Sequence, residues 1–256
     1  MRYTVFATDY DGTLAHHGTV SDDTVAALQR LGESGRKLVL VTGRILAELQ
    51  DVFPRLGVFD LVVAENGPVL FNPATGEERL IATPPRDEFV LALRHAGATP
   101  LDVGRVVVAT REPYDEVVHR AIREMGLDLQ IIYNKGAVMV LPTGANKGVG
   151  LTAALDELGA APHQVVAVGD AENDHSLLKL SGFGAAVANA LPALKEAADY
   201  VTRGRASEGV IELIELILAD DLAAFQHLVK ERKSDASAEA AVTSEAIQEA
   251  EGKDQT

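Results

Sequence analysis

The chain has 256 residues, 47% of them hydrophobic, with a formal net charge of −15 at pH 7 and no cysteine. That is enough apolar material for one large domain or for a core with a smaller companion, and the missing thiols exclude disulfides, thiolate zinc sites and cysteine nucleophiles. The acidic balance argues against nucleic acid or an anionic membrane as main partner, because phosphates attract basic surfaces.

Residues 1–20 lack a charged stretch leading into an apolar one, and no apolar run is long enough to span a bilayer. A soluble, cytoplasmic protein is the expectation. Residues 3–8 (YTVFAT) read as the first strand and end in Asp9-Tyr10-Asp11-Gly12-Thr13. Asp22–Glu33 reads as a helix capped by Ser21, with Val25, Leu28 and Leu31 on one face. Strands follow at residues 37–42 (KLVLVT), running into Gly43-Arg44, and at Leu61–Ala64, running into Glu65-Asn66-Gly67. With residues 165–168 (VVAV) and 184–188 (GAAVA), these runs lack polar alternation, the pattern of strands buried on both faces of a parallel sheet. Helical patterns at residues 150–158, 176–180, 192–198 and 207–218 alternate with them. The prediction is an α/β fold: an open, Rossmann-like parallel core with helices on both faces.

The middle of the chain breaks that rhythm. A hairpin turning at residues 72–76 is followed by Pro84-Pro85, a helix at 87–96, a strand at 105–110 and a helix at 113–125. Strands Leu129–Asn134 and Ala137–Pro142 are joined by only Lys135 and Gly136, so they should pair antiparallel. Residues 83–145 thus read as a small α+β domain inserted into a core of residues 1–82 and 146–220, with hinges at Pro84-Pro85 and residues 142–144. Residues 221–256 read as an acidic tail, disordered or marginally helical.

In open α/β sheets ligands bind at the carboxyl ends of strands, and four such ends here carry polar residues beside glycine. Asp9, Asp11, Asp170 and Asp174 are hard oxygen ligands suited to Mg²⁺. Thr42 offers a hydroxyl, the backbone N–H groups around Gly12 and Gly43 could cradle phosphate oxygens, and Lys147, just before the helix at 150–158, supplies a cation. Such a set suits phosphoryl transfer to a carboxylate nucleophile, which depends on positioning and charge neutralisation. Taken singly, DYDG is also a plain turn, residues 169–174 (GDAEND) a helix cap, and Lys147 a solvated lysine. A calcium loop does not fit, since Val20 stands where the bidentate Glu belongs. Arg94, Arg105, Arg111, Arg120 and Lys135 read singly as solvated.

In order and spacing, these motifs resemble the haloacid-dehalogenase-like (HAD) phosphohydrolases. The similar branch is the Cof-type and sucrose-phosphatase-like one, with its cap inserted after the third core strand. The resemblance covers residues 2–218: DxDGT at 9–13, VTGR with Thr42, NKG with Lys147, GDxxND at 169–174, AENG at 64–67 and VANA at 187–190. It implies Asp9 as nucleophile, Asp11 as general acid/base, and Thr42 and Lys147 on the phosphoryl group. Gly12, Gly43, Arg44, Asn66 and Asn173 would lie about the substrate. Mg²⁺ would bind Asp9, Asp170 and the backbone carbonyl of Asp11, with Asp174 in support. The implied substrate is a small phosphorylated metabolite, of sugar phosphate or phosphoglycolate type. A receiver-like phosphoacceptor module and a non-catalytic regulatory domain are the alternatives; receivers are shorter and lack an inserted cap.

Overall fold

The computed structural model describes residues 1–134 and 136–229. Its first strands are β1 (Val5–Thr8), β2 (Lys37–Val41), β3 (Leu61–Ala64), β4 (Val69–Asn72), β5 (Glu77–Leu80) and β6 (Asp102–Val103). Then come β7 (Val108–Arg111), β8 (Leu129–Asn134), β9 (Ala137–Pro142), β10 (Val165–Gly169), β11 (Phe183–Ala186) and β12 (Tyr200–Val201). The helices are α1 (Asp22–Glu33), α2 (Leu46–Val52), α3 (Asp87–His95), α4 (Asp115–Glu124), α5 (Lys147–Leu158), α6 (His175–Leu180), α7 (Pro192–Ala197) and α8 (Ala206–Asp220).

An eight-stranded sheet runs in the order β12-β11-β10-β1-β2-β3-β4-β5. It is parallel from β12 to β3, and the hairpin strands β4 and β5 are antiparallel. Every residue of β1, β3, β10 and β11 is buried, as apolar strands covered on both faces must be. Helices pack against the sheet in pairs, α1 with α8 and α5 with α6. The hydroxyl of Ser21 accepts the Thr24 N–H at 3.2 Å and starts α1, which buries Val25, Leu28 and Leu31. The chain goes out from β1 to β2 on one side and returns as β10 on the other. That reversal opens a crevice at the carboxyl ends of these strands.

The second sheet is antiparallel, in the order β6-β7-β9-β8. Alternation along β9 serves two surfaces. Val138 and Val140 pack with Phe89 and Leu93 of α3 and Val118 of α4. Met139 and Leu141 turn the other way and meet Val107, Ala145 and Ile45, the last from the loop between β2 and α2. An apolar seam therefore joins the two sheets.

Several elements differ from expectation. The strand expected at residues 105–110 begins only at Val108, because the N–H groups of Arg105, Val106 and Val107 are taken by the Glu65 carboxylate. Helix α5 starts at Lys147, three residues early, where the Asn146 side chain caps the Val149 N–H at 3.0 Å. Helix α2 and the two-residue strands β6 and β12 were too short or too polar to read. The start of the segment expected as a disordered tail packs on the core instead: Leu222 and Val229 are buried, and Phe225 lies 4.9 Å from Tyr200, ring to ring. The remainder of the expected tail, and Lys135, lie outside the described residues. No described helix is long and apolar enough to cross a membrane.

Candidate active site

Three buried carboxylates converge at the carboxyl ends of β1 and β10. Asp9 follows β1, its N–H donating to the Val168 carbonyl at 3.0 Å; Asp170 follows β10, and Asp174 ends the short turn before α6. Oxygens of the three lie within 4.8 Å of one another. The Lys147 ammonium, in the first turn of α5 and only 1% exposed, donates to Asp9 Oδ1 at 2.6 Å and to Asp174 Oδ1 at 2.5 Å. Burial works against this ammonium, yet Asp174 and Asp9 together hold its pKa above the ordinary lysine range. One ammonium does not balance three carboxylates. Burial, with Asp174 and Asp170 adding repulsion, pushes Asp9 up to about 7 in spite of Lys147.

The two oxygens of Asp174 are both engaged, Oδ1 with Lys147 and Oδ2 with the N–H groups of Asp170 and Ala171 at 2.9 and 3.0 Å. Asp174 therefore shapes the loop that carries Asp170. Gly12 has φ +90°, and a Cβ there would sit 2.2 Å from Asp170 Oδ2, so only glycine lets the first loop approach the second carboxylate. Its N–H donates to the Ala15 carbonyl at 3.1 Å.

Asp11 stands apart from the three. Arg44 grips its carboxylate through Nε and Nη2 at 2.6 and 2.7 Å while stacking 5.3 Å over the Tyr10 ring. The side chain of Asp11, named among the metal residues from sequence, is thus outside the carboxylate group; the expectation that only its backbone carbonyl serves the ion is compatible with this. Thr42 is buried at the end of β2, its hydroxyl accepting the Arg44 N–H at 3.1 Å. Asn66 and Asn173 bond to each other at 2.8 Å, and Asn66 Nδ2 reaches Met139 Sδ at 3.1 Å. Gly43 packs against the Asn66 amide.

A cleft of about 280 Å³ opens over this rim. Asp9, Asp11, Gly43, Arg44, Asp170 and Asn173 line it from the large sheet, and Thr110, Arg111 and Met139 from the small one. Arg111, expected to be solvated, therefore borders the site, whereas Arg105 pairs with Glu78 at 2.7 Å. Sequence reasoning missed Glu65, a fully buried residue at φ +59° whose carboxylate binds the start of the second sheet. A buried-pattern strand running straight into Glu-Asn-Gly was the available signal.

A family model described as haloacid dehalogenase-like hydrolase matches residues 6–90 and 97–214. The chain is 33% identical over 217 residues to a phosphoglycolate phosphatase of Methanothermobacter thermautotrophicus, spanning 81% of this chain and 96% of that protein. It is 30% identical over 222 residues to a phosphoglycolate phosphatase of Methanococcoides burtonii, spanning 84% and 96%. Among solved structures, a haloacid dehalogenase-like hydrolase from Bacteroides thetaiotaomicron matches with a TM-score of 0.71 at 23% identity, over 84% of this chain and 99% of that one. Motifs, fold and relatives agree: the chain belongs to the haloacid dehalogenase-like hydrolases and is a phosphatase of that family.

Proposed function

We propose that this phosphatase is Mg²⁺-dependent, acts on small phosphorylated metabolites with 2-phosphoglycolate foremost, and uses Asp9 as its nucleophile. The observation that carries the reading is Asp9 itself, buried at a strand end, 2.6 Å from Lys147 and grouped with Asp170 and Asp174. An all-carboxylate set with excess negative charge suits a hard cation and no soft one. Asp9 and Asp170 would hold Mg²⁺, with Asp174 behind them; when bound, the ion offsets the carboxylates and polarises the phosphoryl oxygens.

The chain's own residues account for the remaining steps. An oxygen of Asp9 bonds to phosphorus as the bond from phosphorus to the leaving oxygen breaks, and Asp11 gives that oxygen its proton. Asp11 then takes a proton from water, whose oxygen attacks the aspartyl phosphate; inorganic phosphate leaves and the Asp9 carboxylate returns. Lys147 favours the ionised form of Asp9 against its burial and neutralises phosphoryl charge, and Thr42 holds a phosphoryl oxygen. Residues 83–145 act as a cap that excludes water.

The substrate rests on the two phosphoglycolate phosphatase relatives. The cleft of about 280 Å³ accommodates a small phosphorylated ligand, near the low end of the roughly 300–1,000 Å³ typical of small-molecule sites. The test is phosphate release from 2-phosphoglycolate and a hexose phosphate, with Mg²⁺ or after chelation, plus acid-quench trapping of phosphoenzyme. Turnover of 2-phosphoglycolate that chelation abolishes, with no trapped phosphoenzyme in Asp9→Asn, is expected. Undiminished activity in chelated protein, or substantial activity in Asp9→Asn, overturns the mechanism; preference for the hexose phosphate overturns the substrate.

A further inference from the structure

We infer that Arg111 is a specificity-determining residue, reading the carboxylate at the far end of the substrate; this rests on the phosphoglycolate reading above. Four side chains lining the cleft can donate hydrogen bonds: Arg44, Thr110, Arg111 and Asn173. Three are already donating to protein. Arg44 holds Asp11 at 2.6 and 2.7 Å, Thr110 donates to the Pro100 carbonyl at 2.7 Å, and Asn173 donates to Asn66 at 2.8 Å. Arg111 has no carboxylate or carbonyl partner among the described residues, and it is exposed to the cleft.

Its position gives this donor a direction. Arg111 ends β7 on the small sheet, and Asp9 lies across the cleft on the large one. A substrate with its phosphoryl group at Asp9 presents its other end to the β7 side. The rest of the cleft repels a second anionic group there, because Glu48 and Asp102 also line it, with Asp9, Asp11 and Asp170. A planar guanidinium with two parallel N–H donors matches a carboxylate and offsets that repulsion. Phosphorylated short-chain acids are thereby favoured over phosphate monoesters of the same length whose far end is uncharged.

The experiment compares 2-phosphoglycolate with 2-hydroxyethyl phosphate, which replaces the carboxylate by a hydroxymethyl group, in Mg²⁺-loaded wild type, Arg111→Gln and Arg111→Lys. Hydrogen bonds to charged groups set the scale, so the kcat/KM ratio of the two substrates should fall about tenfold to a hundredfold in Arg111→Gln. The loss should lie in KM for 2-phosphoglycolate, with partial recovery in Arg111→Lys. A ratio unchanged within twofold overturns the assignment, as does an equal loss on both substrates. Wild type that hydrolyses both esters without preferring 2-phosphoglycolate overturns it too, with the phosphatase reading left standing. Wild type that hydrolyses neither overturns the reading of the site and the role of Arg111 with it.

Discussion

Glu65→Gln isolates the contact through which the large sheet grips the small one. The native carboxylate accepts three consecutive backbone N–H groups, Arg105 at Oε1 and Val106 and Val107 at Oε2, each at 2.8 Å. Glutamine keeps one acceptor oxygen and turns the other into a donor that faces an N–H. The best orientation leaves the oxygen on Val106 and Val107 and sets the amide nitrogen against the half-exposed Arg105 N–H. One bond is lost with a donor left unpaired, and two lose charge assistance, for about 2–4 kcal/mol in all. For a chain of this size that lowers Tm by roughly 5–15 °C. The assay is thermal unfolding together with amide hydrogen exchange at residues 105–107, where protection should fall about 30-fold or more. A Tm within a degree of wild type with unaltered exchange at those amides would refute the reasoning.

Lys147→Gln should abolish phosphatase turnover and lower stability by about 3–5 kcal/mol, since Asp9 and Asp174 remain buried without their ammonium; phosphate release and a denaturant midpoint check it, and turnover near the wild-type rate counts against it. Burial tends to raise the carboxyl of Asp221, but the Arg2 N–H and the Arg36 guanidinium, 2.7 Å away, hold it below the ordinary carboxylate range. The stability it contributes is therefore present above pH of about 4 and is lost as pH falls through the depressed value, so Tm curves of wild type and Asp221→Asn should converge in acid; a constant gap down to strong acid contradicts this. Truncation after Asp220 removes buried Leu222 and Val229, which at about 1.5–3 kcal/mol per side chain should lower stability by about 3–6 kcal/mol, and an unchanged melting curve would show that these side chains contribute nothing.

The sequence by itself determined the α/β sheet and the cluster at its rim. Strands such as VFAT and LVVA must bury both faces, so they read as uninterrupted apolar runs wherever they occur. Polar residues beside glycine at their ends mark where the chain leaves the core, and that locates Asp9, Thr42 and Asp170 without any knowledge of distances. Helical period and the length of a connection are properties of a few neighbouring residues, so they also disclose α1 and the antiparallel pairing of β8 with β9.

Only the tertiary structure decided which distant groups meet. The grip of Arg44 on Asp11 joins residues 33 apart, and nothing local distinguishes it from a guanidinium on phosphate. Glu65 takes N–H groups 40 and more positions away, which is why VVVAT becomes a strand late, although its composition favours one from the start. Arg111 reaches the cleft because β7 pairs with β9 and the apolar seam at Met139 and Ile45 seats that sheet over the rim. Leu222 and Val229 are buried by docking on a core that already exists, with no periodicity of their own to announce it. A hydrophobic pattern records the face a residue must hide, and the partner of a buried charge or a docked end is set by chain segments that no local window contains.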